Sequence, residues 1–281
     1  MRGWFLQMQR AGRPARTSRG PRRTALLFVA LAGFTGAALA GDSAQTNEPS
    51  PLSGPRLLAE VVSRLPSDPL QLTGELIVRK RHGIVLRRFQ FELLLDLGAS
   101  PSRARYKICD AFGVELEQLT VIRSEDGGTR FTYAAGSPPV EGPTPDLFDS
   151  IQGSDVCWVD LALSFLWWDG AQVVGSERVL NRDCHVVDIP APADLAVRAV
   201  PAGGRCAWVR VWIDKEMKML FQAEGLDASR VPLRRLWVRS FKRFDQRWMI
   251  KDMEVQQFSG DHRTKLQIHD IAAKPGEGVN P

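Results

Sequence analysis

Apolar and polar residues alternate with a period of two through much of this chain. The clearest example is residues 88–96, where the apolar positions include Phe89, Phe91, Leu93 and Leu95. The positions around them carry mostly charged or amide side chains. Because successive side chains of a strand point to opposite faces, this pattern predicts a strand with one apolar face.

The same alternation predicts about a dozen strands. They cover residues 72–79, 88–96, 103–108, 116–123, 129–134, 172–180, 184–189, 206–214, 217–224, 233–241, 247–257 and 264–271. Short links such as Asp126-Gly127-Gly128 favour antiparallel hairpins. One apolar and one charged face per strand indicates an antiparallel sheet with a core on one side and water on the other.

Helical periodicity occurs in two places. In residues 54–65 apolar side chains recur every three or four positions until Pro66 ends the pattern, which predicts an amphipathic helix. The second stretch is residues 158–166, and we expect Ser154 or Asp155 to be its N-cap.

The expected fold is mainly β (α+β), because two helices cannot cover both faces of a parallel sheet. We predict a large curved antiparallel sheet that forms an unclosed β-barrel with covering helices. The domain is expected to span residues 54–273, after a flexible spacer of residues 41–53 and before a disordered tail of residues 274–281. Residues 137–145 are rich in proline and are expected to break the sheet, and residues 190–205 are expected to form a mobile loop.

The first 40 residues have the composition of a signal peptide. A basic stretch precedes the apolar residues 24–40, which end in Ala38-Leu39-Ala40. We therefore expect cleavage before Gly41 and export to the periplasm. The alternative, an uncleaved anchor, requires a longer apolar run to cross a bilayer.

This predicted leader, residues 1–40, also accounts for the basic character of the chain, whose formal net charge is +5. Without the seven arginines of residues 1–40, 30 basic and 32 acidic side chains remain. The predicted domain therefore has no net positive charge to attract phosphate backbones, and we exclude nucleic acid as a partner.

Four cysteines follow the leader, at Cys109, Cys157, Cys184 and Cys206. An exported protein can form disulfides, and four cysteines allow three pairings, among which the sequence does not choose. Buried free thiols are the alternative. No two cysteines have Cys-x-x-Cys spacing, so neither a zinc ribbon nor a thioredoxin-type redox site is expected.

Catalytic signatures are missing from the sequence: it contains no Gly-x-Ser-x-Gly, no His-Glu-x-x-His and no glycine-rich phosphate loop. His262 and His269 could form a metal site only with a third ligand, and none is evident, so no metal or cofactor is expected. The basic cluster from Arg234 to Arg243 is expected to be a solvated strand edge. We expect a protein that is not an enzyme.

A series of loose motifs resembles the outer-membrane lipoprotein-sorting family, the LolA-like and LolB-like lipoprotein carriers. The motifs are Gly153-Ser154-Asp155, Val174–Glu177, Arg182–Asp188, Val209–Glu216, Arg247–Glu254 and Thr264–Ile271. Their order covers about the last 120 residues, and the leader, first helix and early strands fit the same layout. There is no cysteine for a lipid anchor near the cleavage site.

The resemblance implies a sheet whose concave face, under helices, encloses a cavity for lipoprotein acyl chains or other lipid cargo. It also implies inner-membrane donor and outer-membrane acceptor proteins, transient contact with membranes and a monomer. The residues expected to line the cavity are Leu76, Phe89, Phe91, Leu93, Leu95, Tyr106, Leu161, Phe165, Trp212 and Trp248. Residues 190–205 are expected to gate it.

A second hypothesis keeps the same fold but fills the interior with side chains, which would make the protein an interaction or sensor module. All seven tryptophans after the leader lie beyond residue 157. An interior lined by small and medium apolar side chains favours a carrier, whereas an interior filled by these tryptophans favours the module.

Overall fold

A computed structural model describes residues 52–80, 82–196 and 206–274 of the chain. These residues form three α-helices, α1 (Gly54–Val62), α2 (Trp158–Leu161) and α3 (Ala193–Ala196), and two 3-10 turns, Ile151–Gly153 and Ser164–Trp167. They also form strands β1 (Leu70–Lys80), β2 (Val85–Asp96), β3 (Ser102–Cys109), β4 (Glu115–Arg123), β5 (Thr129–Ala135), β6 (Val140–Gly142), β7 (Gln172–Val179), β8 (Arg182–Pro190), β9 (Trp208–Asp214), β10 (Leu220–Leu226), β11 (Pro232–Phe244), β12 (Arg247–Gln257) and β13 (His262–Ala273). The predicted signal peptide, most of the predicted spacer and tail, and residues 197–205 of the predicted gate lie outside the described residues.

All the described strands belong to one 13-stranded antiparallel sheet. Its order is β6-β5-β4-β3-β2-β1-β13-β12-β11-β10-β9-β8-β7, which is two meanders joined through β1 and β13. The terminal strands β6 and β7 do not pair with each other in the described chain, so the curved sheet stays open. This confirms the predicted fold class.

The joint between the meanders depends on a glycine. β1 pairs with β13 from Leu70 opposite Ala273 to Lys80 opposite His262, with a shift in register after Thr73. At the next position, Gly74, a Cβ atom would lie 2.1 Å from the carbonyl oxygen of Gln267 and 2.5 Å from the ring of Phe91. Only glycine therefore allows the two strands to approach so closely here.

The inner face of the sheet carries the hydrophobic core. Alternate residues of β1, such as Leu72, Leu76 and Val78, are buried there against the helices and the segment between β6 and β7. Helix α1 contributes Leu57 and Val61 to the same core. Between β6 and β7 the chain crosses this inner face, and we call residues 151–168 of this crossing the roof.

The outer face is covered by ion pairs between neighbouring strands. Arg210 on β9 pairs with Asp188 on β8, and Arg235 on β11 pairs with Glu224 on β10. The basic cluster is therefore not a solvated strand edge, because β11 lies inside the sheet between β10 and β12. Its first member, Arg234, faces the core instead and is buried.

Glu254 on β12 is the most connected member of this surface. Its carboxylate lies 3.2 Å from Arg79, 3.4 Å from Arg239 and 2.7 Å from Arg263, which come from β1, β11 and β13. Burial alone would raise the pKa of Glu254, but these guanidinium groups hold the pKa below its ordinary value. One carboxylate thus links four strands.

Two predicted elements differ from the structure. The second helix was expected to run without a break, but α2 has only four residues, because Leu163 has a left-handed φ of 46° and a separate 3-10 turn follows. Its N-cap is Cys157 rather than Ser154 or Asp155. The proline-rich residues 137–145 do not end the sheet, since β6 pairs with β5 within them.

Replacing Gly74 by valine should destabilise the protein by about 2–3 kcal/mol, because the added side chain overlaps the backbone of β13. Urea unfolding measures the change. The control is Gly175→Ala on β7, where a Cβ atom meets nothing within 4 Å, and we expect a change within about 0.5 kcal/mol. Equal losses in both variants would contradict the role of Gly74.

Replacing Glu254 by glutamine should lower the unfolding free energy at pH 7 by about 2 kcal/mol, because three arginines lose their shared carboxylate. Since the folded-state pKa of Glu254 is depressed, its contribution is complete above the unfolded-state pKa of about 4.3 and is lost as the pH falls through the folded-state pKa. The variant should therefore lose less stability than the wild type between pH 7 and pH 3.

Urea unfolding at several pH values tests this. Glu216→Gln serves as the control, because that side chain is 82% exposed in its pair with Arg182 and should matter by less than about 0.5 kcal/mol. If the wild type and Glu254→Gln have parallel pH profiles, the explanation is wrong.

Candidate functional site

An apolar cavity lies between the inner face of the sheet, helix α1 and the roof. Its volume is about 150 Å³. The side chains that enclose it are mostly leucine, methionine and isoleucine: Val61, Leu65, Pro66, Leu72, Leu93, Leu95, Leu97, Tyr106, Leu161, Ala162, Leu163, Leu166, Trp167, Met219, Leu220, Trp248, Met249, Ile250, Met253, Leu266 and Ile268, together with Arg64 and Lys218. It has the apolar lining expected of a site for hydrocarbon.

The solvent exposure of the lining residues increases from one side of the cavity to the other. The floor consists of buried residues of the central strands, for example Leu72, Leu266 and Ile268. On the other side, Arg64 and Trp248 are exposed to solvent, and 51% of Trp248 is accessible. The cavity therefore opens to solvent beside these two residues.

Tyr106 is the one phenol of the lining. Burial raises its pKa to about 12, although Arg123 acts in the opposite direction. The hydroxyl is therefore neutral across the physiological range, and it adds no charge to the floor of the cavity.

The first half of the roof, residues 151–160, is fixed to the sheet by polar contacts. Arg87 on β2 donates to the carbonyl oxygens of Gln152 and Gly153 at 3.0 and 2.8 Å. The fully buried carboxylate of Asp155 accepts the hydroxyl of Thr264 at 2.8 Å and lies 2.8 Å from Nδ1 of His262. Strands on both sides of the joint between the meanders therefore hold this part of the roof.

A buried ion pair fixes the next turn. Nη1 of Arg234 lies 3.1 Å from the Asp160 carboxylate and also contacts the thiol of Cys157, while the Phe148 ring lies 5.2 Å from the guanidinium carbon. Burial would lower the pKa of Arg234, but Asp160 and the neighbouring thiols raise it above its ordinary value. The arginine is thus charged, and α2 is tied to β11.

The second half of the roof, residues 161–168, is mostly apolar and covers the cavity. Leu161, Leu166 and Trp167 point into the cavity, and the Arg123 guanidinium carbon lies 3.9 Å from the centre of the Trp167 ring. Helix α1 packs against this half. It is therefore held by dispersion and a cation–π contact rather than by the ion pair and hydrogen bonds of the first half.

Five of the ten residues expected to line the cavity do so: Leu93, Leu95, Tyr106, Leu161 and Trp248. Leu76, Phe89, Phe91 and Phe165 belong to the same hydrophobic core but lie away from the cavity. Trp212 is on the opposite face of the sheet, in a small cluster with Cys184, Val186 and Phe221. Its neighbours Val211 and Ile213 take the inward positions of β9, which explains the difference.

Apart from Trp248, sequence reasoning missed the lining residues from the second meander, such as Met219, Met249 and Met253. Their strands were predicted, but alternation does not identify these residues, since the consecutive residues Trp248, Met249 and Ile250 all line the cavity. What was missing is the pairing of β13 with β1, which brings the second meander beside β1–β3.

The tryptophans lie mostly outside the cavity. Only Trp167 and Trp248 are among its described lining residues. Trp158 and Trp168 pack in the core, edge-on to Tyr133 and Phe148. The other three, Trp208, Trp212 and Trp237, belong to the outer face, where Trp208 and Trp237 lie under arginines.

The polar candidates of the sequence do not assemble into a reactive site. All four cysteines are buried free thiols, and burial raises the pKa of each, which for Cys184 reaches about 11. His262 lies against Asp155, whereas His269 is exposed. No group of three or more potential ligands among the described residues is arranged for a metal ion.

Within the described part of the chain, every helix is too short or too polar to cross a bilayer.

Comparisons with known proteins concern the fold. A family model described only as an uncharacterized protein matches residues 141–276. A search of curated protein sequences finds no match.

Several solved structures of other proteins have a fold similar to that of this chain. A domain described as an outer membrane lipoprotein-sorting protein from Vibrio parahaemolyticus has a TM-score of 0.65 at 15% identity, over 81% of this chain and 94% of that one. A DUF1329 family protein from Desulfovibrio piger has a TM-score of 0.63 at 15% identity, over 79% and 92% of the two chains. A LolA superfamily protein from Nitrosomonas europaea has a TM-score of 0.59 at 13% identity, over 80% and 94%.

These similarities extend over nearly the full length of each solved chain and match the open sheet described above. At such low identity they establish the architecture rather than the activity. The chain therefore has the fold of the LolA superfamily and of outer membrane lipoprotein-sorting domains.

Proposed function

We propose that this protein is a periplasmic, non-enzymatic carrier that binds the acyl chains of lipoproteins or of other lipids in the cavity under its sheet. The observation that carries this proposal is the leucine- and methionine-lined cavity of about 150 Å³ between the inner face of the sheet and the roof. Burying hydrocarbon there is worth about 0.8 kcal/mol per methylene, so a modest length of chain suffices for binding.

The lining supports a carrier more than an interaction module with a filled interior. Such a module needs large side chains in the central space, but most tryptophans of the chain lie elsewhere. Methionine side chains are flexible and polarizable, and they adapt to ligands of variable shape. Met219, Met249 and Met253 line one side of the cavity.

The fold comparisons support the same reading. Structures of similar architecture include a protein described as serving outer membrane lipoprotein sorting. A predicted signal peptide would bring the domain to the compartment where such cargo travels. The donor and acceptor proteins implied by the family resemblance remain part of this proposal.

The size of the cavity limits what it holds in the form described. About 150 Å³ is the size of a cavity that accommodates a benzene molecule, so it takes a segment of one alkyl chain. A cargo with several acyl chains requires a wider cavity. The apolar second half of the roof is the part to move, because the first half is held by Arg87, Asp155 and the Arg234–Asp160 ion pair.

The first test is native mass spectrometry, with organic extraction, of residues 41–281 purified gently from a bacterial periplasm. A co-purified lipid or acylated peptide near one equivalent supports the carrier and identifies its cargo class. An empty protein that also fails to bind fluorescent fatty acids contradicts it and favours the interaction module.

Replacing Leu95 by tryptophan should weaken the binding of a fluorescent fatty acid at least tenfold, because the indole occupies the space of the ligand. The matched control is Leu94→Trp, one position earlier on β2, where the side chain faces the outer surface. Titration measures both affinities, and circular dichroism verifies the fold. Equal affinities for Leu95→Trp, Leu94→Trp and the wild type would place the ligand elsewhere.

A further inference from the structure

The charged residues that line the cavity have one sign. Among the described residues that line it, Arg64 and Lys218 are charged and none is acidic. Arg64 follows helix α1, and Lys218 lies on the hairpin between β9 and β10. They are far apart in the sequence, and the fold brings both to one apolar cavity.

Arg64 is available to a ligand. Its backbone N–H donates to the carbonyl of Val61 at 3.1 Å, which fixes the turn that follows α1. Its side chain is exposed and has no ion-pair partner among the described residues. Arg247 donates to the carbonyl of Leu65 at 3.2 Å, so a second guanidinium lies beside the same turn.

Lys218 is placed by its hairpin. Its backbone N–H donates to the carbonyl of Asp214 at 3.1 Å, and the Asp214 carboxylate accepts the backbone N–H of Glu216 at 2.9 Å. The nearest acid to its ammonium is Glu60, at 3.6 Å, and Glu60 also lies 3.5 Å from Arg56. Because this one carboxylate lies farther from the ammonium of Lys218 than a hydrogen bond, the ammonium can still donate hydrogen bonds to a ligand.

The charge of Lys218 also acts on the neighbouring His185. Burial lowers the pKa of His185, and the positive charges of Lys218 and Lys215 lower it further, more than Glu60 opposes them. At His185 the two lysines therefore act more strongly than Glu60 does.

We propose that the cavity selects a single-chain amphiphile with an anionic head group, whose alkyl chain lies among the leucines and methionines while Arg64 and Lys218 bind its carboxylate or phosphate. This inference rests on the proposed function and narrows its ligand class. The small volume fits a segment of one chain rather than several chains, and the two cations that line the apolar cavity complement a charge at the end of that chain. Charge-assisted hydrogen bonds of this kind are short and about twice as strong as neutral ones.

The test compares amphiphiles with the same 12-carbon chain and different heads, each below its critical micelle concentration, by isothermal titration calorimetry. Dodecanoate and dodecyl phosphate should bind at least tenfold more tightly than the uncharged glycerol monododecanoate, and dodecyltrimethylammonium should bind most weakly. The preference should decrease with added salt. The order of dodecanoate and dodecyl phosphate distinguishes a fatty acid from a phosphate-bearing lipid.

The double variant Arg64→Gln, Lys218→Gln should lose this preference while its affinity for glycerol monododecanoate stays within about twofold, because the alkyl site is intact. The matched control is Arg103→Gln, Arg130→Gln, which removes the same charge from exposed positions that do not line the cavity. It should keep the wild-type preference. Arg64→Gln alone, with an intermediate preference, serves if the double variant is unstable.

Three results overturn the inference in distinguishable ways. Equal affinity of the wild type for anionic and uncharged heads refutes the head-group assignment and leaves the carrier intact. A preference that survives in the double variant, or that the control variant loses equally, refutes the role of Arg64 and Lys218. If none of the four amphiphiles binds, both this inference and the proposed function are wrong.

Discussion

The pairing of β1 with β13 is the constraint on which the other features of this structure depend. It joins the first and last strands of the described sheet, and so fuses two meanders that would otherwise be separate. Each meander then ends at a free edge, β6 or β7, and the chain between these edges must cross the inner face as the roof. The close approach at Gly74 permits this pairing, since a side chain there would meet both β13 and Phe91.

The two faces of the sheet divide the energetic tasks. The outer face is water-accessible and is stabilised by ion pairs across strands, most of all around Glu254. The inner face is stabilised by apolar burial, yet it leaves a space that its own side chains do not fill. That space persists because the polar contacts of Arg87, Asp155 and Arg234 fix the height of the roof above the sheet.

Much of the fold followed from local patterns, and most errors arose where a distant partner decides the local structure. Alternation identified the strands, and turn residues identified hairpins, because both depend on neighbouring residues. The second helix was predicted too long: Asp155 is buried against Thr264 and does not cap it, and Leu163 turns left-handed. Half of the residues expected to line the cavity lie along it, but Trp212 was assigned inward although Val211 and Ile213 hold the inner positions. The strand order, which sets the methionine side of the cavity, is a long-range property that no local pattern contains.

The open edges have a mechanical consequence. A closed barrel has a radius fixed by its number of strands and their stagger, and widening it breaks hydrogen bonds. A sheet whose two edge strands, β6 and β7, do not pair with each other in the described chain can flatten or curl by small changes in twist at each strand pair, with all its backbone hydrogen bonds preserved. The volume under this sheet therefore depends on how strongly the sheet is curved, and the curvature can change while the hydrogen bonds between the strands stay intact.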